Sequence, residues 1–493
     1  MLYFRMAFTM GLGFFMTREL LAALGVVDYG LVNVIGGVVA MFAFLSGTMQ
    51  TAASRFFNFE LGRQDLVRLK QIFNLTQLIY IGLLVLMLLL AETVGLWFLQ
   101  NKVVIPSERV TAAFWFFQFS TVGFLFSMAS IPYRALIISH ENMRAFAWIS
   151  VGDAAGKLGI VYLLHLGHWD QLAFYGALLS GVAMVSFLAY SLTCRRLYSV
   201  SRFAFYWEKP LFKELLAFSG WNLWGAAAGL FTNVFINVLL NNYFGAAVAA
   251  ARGVANQVSA GMNTFAQSFM TAVNPQIVKY YAEGNLEQAH QLVMRASRFG
   301  FYLFFLAALP LLLEMDFVLG IWLKEVPAHT ILFARLMVVQ VLIDTLSFPL
   351  MTLAQASGKI ALYQSVVGGM MWMTLPIGWG ALLVEGIPEV VAGAAIGVSM
   401  LCLGLRLVLV RRCSRLSIRT FGLRVVTPVV CTSSLALLLP LTLALSSMKE
   451  DWVHFALVGV VSLASSGLAI IFAGLVKEER NFLRQRLANA MKF

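Results

Sequence analysis

The stretch TNVFINVLLNNYFGAAVAAARGVANQVSAGMNTFAQSFMTAVNPQIVK, residues 232–279, decides the reading of this chain. It is apolar enough to cross a bilayer twice, yet Arg252, Asn256, Ser259, Asn263, Gln267, Thr271 and Asn274 recur every three or four residues. That spacing places the polar groups on one helical face. Lipid offers such groups no hydrogen-bond partner, so the stripe must face protein or water. The stretch is expected to form a wall of an internal cavity.

The rest of the sequence agrees with a membrane setting. Its 493 residues are 60% hydrophobic and 12% charged, with a mean hydropathy of +0.82, whereas soluble domains run at roughly 45–50% apolar and 25% charged. A spanning helix needs about 20 mostly apolar residues. By that measure the sequence predicts fourteen spans: 2–24, 29–52, 74–99, 110–132, 146–166, 172–194, 214–240, 247–275, 297–320, 330–354, 360–384, 388–410, 424–446 and 453–476. The N-terminus enters an apolar run at once with no small-residue cleavage pattern, so it reads as a first span and not as a removable signal.

A net charge of +12 raises nucleic acid as a partner, but the positions of the basic residues exclude it. Twenty-five of the 35 Lys and Arg fall on alternate loops, from Arg55–Lys70 to Lys477–Lys492, and the opposite loops hold only Lys102, Arg109, Lys324 and Lys449. The positive-inside rule then puts both termini in the cytoplasm of a multi-pass inner-membrane protein. Cys194, Cys402, Cys413 and Cys431 have no metal or disulfide spacing. No nucleotide-binding motif is present, and no cofactor or metal is expected.

The two halves share a weak repeat. An advance of 220 residues carries Gly25 onto Gly245 and FNFELGRQDLVRLKQIF (57–73) onto VKYYAEGNLEQAHQLVM (278–294). Such a repeat predicts two lobes related by an axis along the membrane normal, as in transporters that rock two halves about a midplane site. The expected division is an N-lobe at 1–194, a cytoplasmic linker at 195–213, a C-lobe at 214–412, and two further helices with a basic tail at 413–493.

TRELLAALGVVDYGLVNVIGGVVAMFAFLSGTMQTAASRFFNFELGR (17–63) and AAARGVANQVSAGMNTFAQSFMTAVNPQIVKYYAEGN (249–285) resemble the polysaccharide exporter branch of the multidrug/oligosaccharidyl-lipid/polysaccharide superfamily, the O-antigen-type lipid-linked oligosaccharide flippases. IPYRALIISHENMRAFAWISV (131–151) and GIWLKEVPAHTILFARL (320–336) are similar to stretches of the same family. The likeness runs over about residues 1–410 and is vague beyond. It implies an all-α bundle, with two six-helix lobes in a V around a central cavity and two C-terminal helices. It also implies alternating access that carries an undecaprenyl-diphosphate-linked sugar to the outer leaflet.

Such a substrate needs fixed positive charge for the diphosphate and amides or hydroxyls for the glycan. Arg252, Arg18 and Lys157 are the candidates for the diphosphate, because a cation inside a span is costly and Arg can grip phosphate oxygens bidentately. Asn233, Asn237 and Asn241, with Asn256, Ser259, Asn263 and Gln267, are the candidates for the glycan, since amides both donate and accept. The plainer alternatives are snorkelling or a carboxylate partner such as Glu19 for Arg252, and helix-to-helix hydrogen bonding for the amides. Asp153 and Lys157 are four residues apart and can pair on one face. They are either a structural pair or a switch in which Asp153 takes a coupling ion. Arg5, Trp221 and Trp224 read as interface anchors, and His140-Glu141 as loop structure.

Three function classes remain at this point. The first is a flippase, working beside glycan polymerases or glycosyltransferases. The second is a cation-coupled drug antiporter, for which the cavity should be acidic and aromatic. The third is a membrane enzyme, which the short outer loops oppose because they have no room for a catalytic constellation.

Overall fold

The computed structural model describes residues 19–20, 23–24, 28, 30–32, 35–36, 47, 49–101, 105–164, 170–323, 326–445, 452–475 and 479–480. Most of the first two predicted spans, with Arg5 and Arg18, lies outside these residues. The described chain is helical throughout. Twelve long helices follow the other twelve predicted spans in order: α1 (Leu66–Asn101), α2 (Ser107–Ser139), α3 (Met143–Leu164), α4 (Gln171–Leu197), α5 (Lys209–Phe244), α6 (Ala246–Ala282), α7 (Leu286–Leu313), α8 (Thr330–Ala356), α9 (Ile360–Glu385), α10 (Val390–Ser414), α11 (Ile418–Ala444) and α12 (Trp452–Gly474). Among the described residues, eleven are long and apolar enough to cross a membrane. The twelfth, α6, has the length at 37 residues, but the polar stripe holds down its hydropathy. The chain is a multi-pass membrane protein.

Several of the helices begin where a side chain satisfies a first-turn amide. Asp65 accepts from the amide of Arg68 at the start of α1. Asp170 accepts from those of Leu172 and Ala173 at α4, and Asn285 accepts from that of Gln288 at α7. An acceptor at this position replaces the helical carbonyl that the first turn lacks.

The chain packs as two compact units, Met1–Leu223 and Trp224–Phe493. The division falls inside α5, ten residues past the start expected for the second lobe at 214. In the first unit α2 and α4 pack side by side. They meet closely at Gly176, where a Cβ would come within 2.9 Å of Phe116, and at Gly123, where it would come within 3.2 Å of Ser180. Arg109 fastens the loop end of this unit, donating to Asp28 at 2.7 Å and to Asp170 at 2.7 Å. The segment between α4 and α5 lies on α1 through a two-toothed pair of Arg68 with Glu208, at 2.6 and 3.1 Å. The amide of Ala204 adds a bond to Asn74.

In the second unit α8 is central, packed by α6, α7 and α10. The last two helices, α11 and α12, pack on each other and on α7. Both lie in this second unit. Thr432 and Gly474, one from each, hydrogen-bond the buried Tyr302 hydroxyl of α7.

The repeat is written in the turns. In the first unit Gln64 has φ +58° and its amide donates to Leu61, while the amide of Asp65 donates to Glu60. Exactly the same pattern would need Gly284, Tyr281, Asn285 and Tyr280 at an advance of 220, and there Gly284 has φ +76° and both bonds form. A second turn repeats at an advance of 217, with Glu141 at φ +58° and Gly358 at φ +76°. Pro132 and Pro349 stand at the same advance inside α2 and α8.

Candidate functional site

The site forms around the hairpin of α5 and α6. Gly245, at φ +84° and ψ 175°, joins the two helices as a single residue, in a backbone region open essentially to glycine alone. The hairpin brings Arg252 of α6, seven residues past the turn, against Asn237 and Asn233 of α5 before it. One guanidinium nitrogen donates to the Asn237 amide oxygen at 2.5 Å and to the Asn233 carbonyl at 3.2 Å. The other donates to the Asn233 side-chain oxygen at 2.8 Å. Arg252 is 5% exposed. Among the described residues no carboxylate reaches it, so its partners are neutral oxygens.

Above this group lies a cavity of about 170 Å³ within the second unit. Asn233 and Thr232 of α5 line it, with Arg252, Asn256, Ser259 and Asn263 of α6, Gln340 and Asp344 of α8, and Thr374 of α9. Val391, Ala392 and Ala395 of α10 form an apolar side. Among the described residues no aromatic side chain lines the cavity.

The stripe of α6 therefore divides along its length. Its first half, Arg252 to Asn263, lines the cavity. Gln267 is exposed and lies outside the cavity, the Thr271 hydroxyl donates back to the Gln267 carbonyl, and Asn274 accepts from Thr352 of α8 at 2.8 Å. On α5, Asn237 binds Arg252, while Asn241 is exposed at the end of the helix. Trp224 is 48% exposed and stands 6.1 Å from Trp372. Neither it nor Trp221 is on the cavity.

Asp153 and Lys157 are in the first unit and pair at 2.8 Å on α3. The second Asp153 oxygen accepts from Ser186 of α4 at 2.8 Å. Glu141 occupies the left-handed turn before α3, and His140 stacks on Tyr198 with ring centres 3.9 Å apart. Arg18 lies outside the described residues.

Two charged residues of the site were not among the sequence candidates. Asp344 opens partly onto the cavity, hydrogen-bonds Ser399 and faces Arg406 of α10. Ser399 accepts in turn from Gln340 at 3.3 Å, and Arg406 donates to the buried Tyr363 hydroxyl at 3.0 Å. The sequence signal was present: a single carboxylate in VLIDTLSF (341–348), inside a predicted span. Such a residue is a functional candidate by its cost alone.

No family model matches the chain, and no curated protein matches it. Solved structures do. A crystal structure of MATE in the bent conformation aligns with a TM-score of 0.71 at 14% identity, over 85% of this chain and 95% of that one. The outward-facing conformation of a multidrug resistance MATE family transporter of the MOP superfamily gives 0.69 at 14%, over 84% and 95%. The Vibrio cholerae MATE transporter VcmN in the bent form gives 0.62 at 12%, over 86% and 97%. At such identities the likeness is one of fold, and the fold of this chain is that of the MATE transporters.

Proposed function

We propose that the protein is a transporter of the bacterial inner membrane that carries an undecaprenyl-diphosphate-linked oligosaccharide from the inner to the outer leaflet by alternating access. The observation that carries this reading is the polar part of the second unit's cavity lining: amides, hydroxyls, Arg252 and Asp344, with no aromatic ring among the described residues. Amide and hydroxyl groups match sugar hydroxyls, which both donate and accept. Arg252 supplies a charge that a diphosphate can share with the asparagines now holding it. At about 170 Å³ the cavity is smaller than the about 300–1,000 Å³ of sites that enclose a drug-sized ligand, so it grips part of a larger substrate. Asp344, and Asp153 of the first unit, are the carboxylates available to a coupling ion. In this reading the protein performs no covalent chemistry, and it works beside the glycosyltransferases that build its substrate.

A second reading, export of cationic drugs, is favoured by the fold neighbours, one of which is a multidrug resistance transporter. Asp344 on the cavity supports it; the missing aromatic rings oppose it, because cations are gripped well by ring faces.

The two readings separate in one experiment. Depletion of the protein in its host should abolish surface glycan and leave lipid-linked precursor on the inner leaflet, with tolerance to cationic dyes unchanged. Normal glycan together with dye sensitivity would replace the first reading by the second.

A further inference from the structure

A second cavity, of about 360 Å³, lies between α7 and α11 and is closed on one side by Glu479, beyond α12. It belongs to neither the Arg252 site nor the reading built on it. Three guanidinium groups, Arg295, Arg298 and Arg424, line it against the single carboxylate of Glu479. Among the described residues that leaves two positive charges in excess, three less one.

Arg298 is the decisive residue. It is 3% exposed, and one of its terminal nitrogens holds both Glu479 oxygens at 2.6 Å. The other donates to the Arg424 carbonyl at 3.4 Å. Its Nε–H is buried with no acceptor. A buried donor on a cation left without a partner is costly, and here it borders a cavity with more cations than carboxylates among the described residues. Arg295 is 3.7 Å from Glu479 and 54% exposed, and Arg424 is exposed. At the rim Leu423 is 60% exposed, an apolar contact beside a basic pocket. All three arginines belong to the side of the membrane that carries most of the basic residues.

We propose that this pocket binds the phosphate of an anionic phospholipid from the leaflet on the basic side. The phosphate oxygens accept from the Arg298 Nε–H and from the Arg295 and Arg424 guanidinium groups, and an acyl chain lies along Leu423. Glu479 keeps Arg298 oriented and, as a like charge, limits how tightly the phosphate is held. Basic pockets between helices on the cytoplasmic side are known lipid head-group sites on physical grounds.

The test uses the full chain in neutral detergent at low salt, titrated with phosphatidylglycerol, with phosphatidylcholine, or with inorganic phosphate, and followed by thermal unfolding. Phosphatidylglycerol should raise the melting temperature saturably, and the other two should not. Each rim arginine contributes about 1 kcal/mol, or about fivefold. Arg295→Gln with Arg424→Gln should therefore weaken phosphatidylglycerol binding about 25-fold; both residues are exposed, so the variant keeps its fold. Glu479→Gln should tighten binding. Equal effects of the two lipids, an unchanged affinity in the double variant, or a full shift with inorganic phosphate alone would each overturn the assignment.

Discussion

Arg252 is a buried cation held by three neutral oxygens, all from Asn233 and Asn237. A charge kept only for stability would be expected to face a carboxylate, as Arg109 faces Asp28 and Asp170. A cation inside a span costs at most about 2.5–3.5 kcal/mol, the figure for the bilayer centre, and three hydrogen bonds between membrane helices return about 0.6 kcal/mol each. The residue therefore adds little net stability, and this separates function from structure. Arg252→Ala should lower export of lipid-linked glycan at least tenfold while unfolding within about 1 kcal/mol of the parent, or above it. Arg252→Lys tests geometry, because a point charge cannot span two asparagines as the planar guanidinium does. It should keep the positive charge but not restore the rate. Glycan export and thermal unfolding, measured side by side, decide the matter; a large loss of stability in Arg252→Ala would return the residue to a structural role.

At the scale of elements, the segment between α4 and α5 shows how a linker is tied down. Arg68 and the Tyr206 hydroxyl both donate to Glu208. The Arg68 bonds, then that of Tyr206, pull the Glu208 carboxyl down to about 2. A carboxyl lowered in this way stabilises the folded arrangement in full above its ordinary value of 4.5, and the gain is lost as pH falls toward about 2. The clasp should thus be unchanged between pH 5 and pH 8. Limited proteolysis between Tyr198 and Glu208 should be equally slow across that range, and faster at every pH in Glu208→Gln. The sequence located this segment by its charge and length but could not show its partner, since Arg68 is 140 residues away. Helix order was legible because about 20 apolar residues mark each span. That Asn233 and Asn237 share a face was legible because fourfold spacing fixes one; that this face holds Arg252 was not. Depth was not. The 37 residues of α6 extend about 56 Å at 1.5 Å per residue, against about 30 Å of hydrocarbon. One stripe therefore serves the cavity at Asn256 and an exposed surface at Gln267. Asp344 was passed over because a lone carboxylate makes no period.

For the whole molecule, the charge map and the repeated turns make the same claim about sidedness. Between the turns at Gln64 and Glu141 lie α1 and α2; between Glu141 and Gly284 lie α3 to α6; between Gly284 and Gly358 lie α7 and α8. With each helix crossing once, every interval is an even number of crossings, so all four turns should share one side, and their neighbours Arg63, Arg144 and Lys359 should make it the basic side. Gly245 and Gly386, one crossing away, must be opposite. The basic side should be cytoplasmic. Single cysteines placed in a background without the four native ones test this in intact cells. Asn242→Cys and Glu385→Cys, both at exposed positions, should react with a membrane-impermeant maleimide from outside. Glu283→Cys and Lys359→Cys, also exposed, should react only after lysis. An inverted pattern would keep the crossing count and reverse the orientation, and with it the direction of export. A mixed pattern would break the count itself, because no continuous chain can place Glu283 and Lys359 on different sides with α7 and α8 both spanning.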